Sequence, residues 1–254
     1  MKGLSGRHAL VTGGGRGIGA AVASALTAAG ARVTVTGRKD APLKELVEAG
    51  GAAGYAIADV TDPLALGEAV KEAVAERGPV EVLVANAGAA ETALFSRADP
   101  AVFQRMFDVN TMGVVHSVQS VLGPMTEAGF GRIVAVASTA GLKGYRYTSA
   151  YCAAKHAVIG LVRSLALETA RSGITVNAVC PGFTDTDMVA ESVSRIVAKT
   201  GMTAEQAEAE LVRDNPQGRL VTPEEVADAV LWLCGADAAS ITGQAIAVAG
   251  GEVM

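Results

Sequence analysis

Cysteine and histidine are both scarce in this 254-residue chain, with three of each. Cys152, Cys180 and Cys234 are widely separated and lack C-x-x-C spacing, which argues against a disulfide framework or a structural zinc site. They read as small buried thiols in a reducing compartment. His8, His116 and His156 show no metal-ligand spacing, so no metal site is expected, and His156 reads as structural. Long hydrophobic runs are missing as well: none approaches the ~18 residues of a membrane span. The stretch from Met1 to His8 has no apolar signal-peptide region, so a cytoplasmic location is expected. There is no basic excess either. The formal charge of −5 argues against a general affinity for nucleic acid or anionic membranes.

What the chain does have is apolar mass. Half of its residues are hydrophobic, which suits buried parallel strands and subunit interfaces. Short β-branched runs at 8–12, 32–36, 55–57, 80–85, 132–137, 175–179 and 245–249 read as strands. Alanine-rich segments of helical period lie between them at 17–29, 42–49, 63–77, 100–127, 150–171 and 223–233. Asp62-Pro63, Asp99-Pro100 and Thr222-Pro223 each place an N-cap before a first-turn proline, and Thr222 to Glu225 fits a capping box. Such alternation specifies an α/β fold: a doubly wound parallel sheet of about seven strands, of Rossmann type. No linker, low-complexity stretch or repeat divides it, so residues 1–254 are expected to form one domain. Residues 185–218 interrupt the alternation after the sixth strand, carry Met188 and Met202, and include an amphipathic stretch at 204–213. They read as a substrate lid or as an ordinary surface helix pair.

The run Gly13-Gly14-Gly15-Arg16-Gly17-Ile18-Gly19 follows the first strand and opens the first helix. Glycines there allow a sharp turn and close approach to a pyrophosphate, which then meets the helix N-terminus. The spacing is G-x-x-x-G-x-G, and the Gly-Lys-Ser/Thr ending of a P-loop is missing. After the second strand the chain reads Thr36-Gly37-Arg38, with no acid to hold a ribose 2′-hydroxyl until Asp40. Arg16 and Arg38 could together clamp a 2′-phosphate, so NADP(H) is favoured over NAD(H) as cofactor. Asp59-Val60 is positioned to meet the adenine edge.

Tyr151 and Lys155 lie one helical turn apart, on the same face. An ammonium beside a phenol favours the phenolate, so Tyr151 could exchange a proton with a carbonyl or alcohol oxygen near neutral pH. Ser138, at the end of an apolar run, completes the set. Hydride transfer to a carbonyl leaves negative charge on oxygen, which requires such donors and a proton.

In their order and separations, Thr12–Gly19, Asn86-Ala87-Gly88, Asn110, Ser138, Tyr151–Lys155 and Pro181-Gly182 with Thr186 resemble the short-chain dehydrogenase/reductase family over nearly the whole chain. The resemblance implies that Tyr151 is the general acid/base, and that Lys155 lowers its pKa and holds the nicotinamide ribose. Ser138 would bind the substrate oxygen, and Asn110 would hold a water extending a proton relay. Gly13, Gly15, Arg16, Gly17, Ile18, Gly19, Arg38, Asp59 and Val60 would line the adenosine and phosphates. Asn86, Ala87 and Gly88 would pass beneath the adenine ribose. Thr186 would bind the carboxamide, beside Pro181, Gly182 and Thr184. A homotetramer is implied, with a small ketone or acyl thioester as substrate.

Within the family, Pro181 to Met188 resembles 3-oxoacyl-thioester reductases, and 173–182 resembles polyketide ketoreductases. Ala85 stands where many relatives have asparagine. Gly129 and Ser172 stand where carrier-docking arginines are common, and Ala89-Ala90-Glu91 replaces a polyketide-type Pro-Gly-Gly. Carboxylate-binding side chains of a 3-hydroxybutyrate dehydrogenase are missing near Ala140 and Tyr147. The expected activity is therefore NADPH-dependent reduction of a 3-oxoacyl thioester. The alternatives are an alcohol dehydrogenase or carbonyl reductase for small, cyclic or aryl ketones, a polyketide ketoreductase, and a non-catalytic nucleotide-binding regulator.

Overall fold

Valine-rich runs with a two-residue alternation build the sheet. In the computed structural model, which describes residues 3–254, the strands are β1 (His8–Thr12), β2 (Arg32–Gly37), β3 (Gly54–Ile57), β4 (Val80–Ala85), β5 (Gly131–Val136), β6 (Ile174–Pro181) and β7 (Ala245–Val248). They pair in the order β3-β2-β1-β4-β5-β6-β7, every pair parallel. The seven expected strands are all present, each within two residues of its expected ends.

The helices are α1 (Gly17–Ala28), α2 (Asp40–Glu48), α3 (Pro63–Arg77), α4 (Pro100–Phe107), α5 (Gly113–Ala128), α6 (Ser149–Thr169), α7 (Asp187–Thr200), α8 (Ala204–Val212) and α9 (Pro223–Cys234). Their starts follow local chemistry. Asp62 accepts from the N–H groups of Leu64 and Ala65, both at 3.0 Å, and Asp99 accepts from that of Ala101 at 2.9 Å. Thr222 and Glu225 form the full capping box. Each cap stabilises its helix by about 1 kcal/mol.

Alternation along the strands sorts the core into two layers. Leu83, Ala85, Leu10 and Ile133 meet the apolar sides of α3, α5 and α6. Val82, Val84, Val11 and Val35 meet α1, α2 and α9 on the other face. Burying each such leucine or valine contributes about 1.5–3 kcal/mol. Helix α6 is long and apolar enough by length and composition to cross a membrane. Here it packs on the sheet through Val158 and Val162, and beside α4 through Ala154, all fully buried or nearly so.

One expectation needs correction. Residues 100–127 read as one helix, but a π-helical turn, Asp108–Met112, separates α4 from α5. Apolar residues continue on both sides of it, so composition carries no sign of the extra residue. The cause is tertiary: Asn110 is turned back to bond Ala89, and a Cβ on Gly113 would lie 2.7 Å from a Val60 methyl. Residues 185–218 hold two helices, α7 and the expected amphipathic α8, as a helical lid or a surface helix pair requires. Both ends of this excursion are pinned together. Asp185 N–H donates to Val221 O and Val221 N–H to Phe183 O, each at 2.9 Å.

Candidate active site

Strand order reverses between β1 and β4, and the crevice of a doubly wound sheet opens at the C-terminal ends of those strands. The glycine turn lies there. Gly13 and Gly17 have φ of +64° and +52°, a region costly for side-chain-bearing residues. A Cβ on Gly13 would lie 2.8 Å from Ala87 Cα, and one on Gly19 would lie 2.2 Å from Gly13 O. Asn86 fixes the turn from β4: its Nδ2 donates to Thr12 O at 3.1 Å and to Gly13 O at 3.0 Å. Thr12 Oγ1 in return accepts from the N–H groups of Asn86 and Ala87. Helix α1 starts without a side-chain cap, so its first N–H groups are left for a ligand. A turn that tolerates no Cβ and ends in a bare helix N-terminus fits a pyrophosphate.

Arg16 and Arg38 are not held together as a clamp. Arg16 Nη1 reaches Asp187 Oδ2 at the start of α7, at 3.2 Å, while Arg38 Nη1 lies 3.9 Å from Asp59 Oδ2. Their side chains are mostly exposed, 63% and 71%, so each pair is worth at most about 1 kcal/mol and either guanidinium can exchange its partner. Asp40, the nearest acid to Arg38 in sequence after β2, accepts from the Tyr55 hydroxyl at 2.8 Å. Asp59 also accepts from Thr61, through N–H at 2.9 Å and hydroxyl at 2.8 Å. Val60 is buried, and its carbonyl accepts from His116 Nδ1 at 2.8 Å.

Ser138 follows β5, where its Oγ accepts from Ala140 N–H at 3.1 Å and caps the short 3-10 turn Thr139–Gly141. It also faces the Tyr151 phenol, whose ionised form it favours. Burial pushes the Tyr151 phenol up to about 12 and the Lys155 ammonium down to about 8. The expected lowering of the phenol by the lysine is therefore not how these charges sit. Lys155 Nζ donates to Val136 O at 2.9 Å and lies 5.7 Å from the Tyr151 ring centroid.

Asn110 is fully buried, and its side chain is spent on the backbone: Nδ2 donates to Ala89 O at 2.9 Å and Met106 O at 3.0 Å, and Oδ1 accepts from Ala89 N–H. Gly88 explains how it meets Lys155. A Cβ there would lie 2.8 Å from Asn110 Oδ1 and 3.7 Å from Lys155 Nζ. On the far wall β6 ends at Pro181, Thr184 Oγ1 donates to Gly182 O, and Thr186 Oγ1 donates to Thr184 O. The Thr186 methyl stands 3.1 Å from where a Gly17 Cβ would be, so this segment reaches across to the glycine turn. Ile18 packs into the core behind the turn.

Two features had no mark in the sequence. Tyr147 has φ of +68°, the one residue other than glycine with positive φ among those described, and its carbonyl accepts from Ala93 N–H at 2.8 Å. Glu252, immediately after the Gly250-Gly251 turn, brings the C-terminal tail back to the Ser138 segment through Lys143 and Tyr145.

A sequence model described as short chain dehydrogenase matches residues 7–196. The D-beta-hydroxybutyrate dehydrogenase of Cupriavidus necator is 36% identical, over 98% of this chain and 99% of that protein. An acetoacetyl-CoA reductase of Rhizobium meliloti is 38% identical, over 97% of this chain and 98% of its own. Among solved structures, a variant of the actinorhodin polyketide ketoreductase with NADPH superposes with a TM-score of 0.92 at 39% identity, covering 97% of each chain. With the glycine turn, Asn110, Ser138, Tyr151 and Lys155 gathered at the crevice of one parallel sheet, the chain belongs to the short-chain dehydrogenase family.

Proposed function

We propose that this enzyme reduces a ketone to a secondary alcohol with NADPH, the preferred substrate being a 3-oxoacyl thioester of coenzyme A or of a carrier protein. The observation that carries this reading is the placement of Ser138 at the end of β5 beside Tyr151 on α6, with Lys155 one turn along the same helix and bonded to Val136 O. NADPH, when bound, supplies the hydride to the carbonyl carbon. Ser138 then donates to the substrate oxygen and stabilises its developing charge. Tyr151, with its phenol at about 12, holds its proton at neutral pH and hands it to the alkoxide oxygen. Lys155 returns a proton towards the phenolate, and Asn110 keeps the Ala89 backbone in place beside it. Arg16 and Arg38 leave Asp187 and Asp59 for the 2′-phosphate, while Asp59 and Val60 border the adenine. Asn86, Ala87 and Gly88 line its ribose, and Pro181, Gly182, Thr184 and Thr186 line the nicotinamide.

Residues 185–218 act as the lid of one domain spanning 1–254, and the enzyme works in the cytoplasm as a homotetramer. Leu167 on α6, 82% exposed, and Trp232 on α9, 40% exposed, are apolar surface that such an assembly would cover. A monomeric mass in light scattering at micromolar concentration would refute the tetramer.

The full-length similarity to a hydroxybutyrate dehydrogenase supports a second reading, oxidation of a secondary alcohol by the same residues. Ala140 and Tyr147, however, offer no cation for a free carboxylate. Loss of nicotinamide absorbance on mixing enzyme, NADPH and acetoacetyl-CoA tests the first reading. Inert thioesters alongside rapidly reduced cyclic or aryl ketones would sink it.

A further inference from the structure

The C-terminal tail carries a carboxylate that the reaction scheme does not use. Gly250 and Gly251, with φ of +60° and +92°, turn the chain back after β7. A Cβ on Gly250 would lie 2.1 Å from Asn215 Oδ1, so the turn also packs under the end of the 185–218 excursion. The side chain of Glu252 that follows is only 3% exposed. Its Oε1 pairs with Lys143 Nζ at 3.0 Å and accepts a hydrogen bond from the Tyr145 hydroxyl. Its Oε2 lies 3.2 Å from where a Gly182 Cβ would be.

From there the contacts run to the reaction centre. The Tyr145 and Thr139 hydroxyls are 2.6 Å apart, and with the phenol proton on Glu252 the Thr139 hydroxyl is the donor between them. Thr139 is the residue after Ser138, inside the turn that Ser138 caps. The Tyr145 ring meets Phe183 edge-on, with centroids 6.1 Å apart. One carboxylate thus ties together the Ser138 segment, the exit of β6 and the tail. Burying a carboxylate is costly even when it is paired, and a buried ion pair is weak evidence of stabilisation. This one joins three segments that the sheet alone does not hold in register.

We propose that Glu252 is a positioning residue. Its carboxylate fixes Tyr145 and Lys143, and through Thr139 it sets the Ser138 hydroxyl against the substrate oxygen. The proposal rests on the reading of the enzyme as a ketone reductase, and its test keeps the two separable. In Glu252→Ala, kcat for acetoacetyl-CoA should fall about tenfold, the scale of a small misplacement of a reacting group. KM for NADPH should stay within about twofold, because a residue that acts through Ser138 leaves the cofactor's own contacts in place. Glu252→Gln still accepts the phenol's hydrogen bond and should recover most of kcat. Tyr145→Phe should reproduce the loss, and combining it with Glu252→Ala should add little, as for residues in one network. Amide hydrogen exchange of 139–148 should accelerate in Glu252→Ala even without substrate.

Full kcat in both Glu252→Ala and Tyr145→Phe would overturn the proposal, as would a loss that Glu252→Gln does not recover. If Glu252→Ala fails to fold, Tyr145→Phe and Glu252→Gln decide. Should the wild type reduce no ketone, the functional reading fails by itself; unchanged exchange in 139–148 would then overturn the clamp, and faster exchange would uphold it.

Discussion

Lys155 and Tyr151 stand one turn apart on α6, but the lysine's Nζ is bonded to Val136 O at 2.9 Å, against 5.7 Å to the tyrosine ring centroid. Among the described residues no carboxylate pairs with this ammonium, which is 4% exposed and brought down to about 8 by burial. A lysine with an unfolded value near 10.4 therefore binds its proton more weakly in the fold. The unfolded chain holds more protons between those two values, so this group makes stability rise with pH there. Below about 8 the whole cost, about 3 kcal/mol, is present.

Lys155→Met should accordingly be inactive yet more stable near neutral pH. Losing the bond to Val136 O offsets part of the gain, since an unpaired carbonyl costs about 1–3 kcal/mol. The expected net effect is a rise in Tm of about 4 °C at pH 7, given ~2–4 °C per kcal/mol at this size. Calorimetry from pH 7 to pH 10 is the check. The gain should fade as pH climbs through that range; a variant less stable than wild type throughout would show that the lysine stabilises the fold.

Tyr151→Phe keeps the ring and removes the proton. Turnover should drop at least about 100-fold, the scale of general acid catalysis. Affinity for NADPH, measured by fluorescence titration, should barely change. Near-normal turnover would take Tyr151 out of the reaction.

Much of this was legible because the chemistry is local. The glycine turn needs positive φ at Gly13 and Gly17, and the Tyr151–Lys155 spacing sets two side chains on one helix face. Strand periodicity at 80–85 specifies which residues meet which layer. What stayed hidden depends on distant partners. The π-turn at Asn110 arises from a bond to Ala89, 21 residues earlier, and helical period looks the same on both sides. Glu252 reads as a polar residue near a chain end until it meets Tyr145, 107 positions away. The pairing of Arg16 with Asp187 spans 171 positions and likewise leaves no trace in spacing.

Cofactor choice is tested through Arg38. It is 71% exposed and lightly held by Asp59, so it can turn to a 2′-phosphate at little cost. Arg38→Asp puts a like charge beside that phosphate and should raise KM for NADPH by about tenfold or more, the worth of about 1.4 kcal/mol. KM for NADH should change far less. A wild-type enzyme that prefers NADH in steady-state kinetics would rule this out.

The lid is tested through its methionines. Val189 is the buried residue of α7 and is not free to line the crevice, whereas Met188 and Met202 are 43% and 37% exposed. Flexible thioethers at these places suit an acyl chain better than a compact polar substrate. Replacing both by alanine should raise KM for medium-chain 3-oxoacyl thioesters more than for acetoacetyl-CoA. The discrimination should be shallow, about 1–3 kcal/mol per methylene at most. Because Asp187 precedes Met188 and pairs with Arg16, the same helix also borders the cofactor end of the crevice. Asp187→Asn would loosen that contact, so it serves as the control: it should alter NADPH binding without changing the ranking of chain lengths. Equal shifts in KM for short and medium chains in the methionine variant would show that the 185–218 segment does not contact the acyl chain.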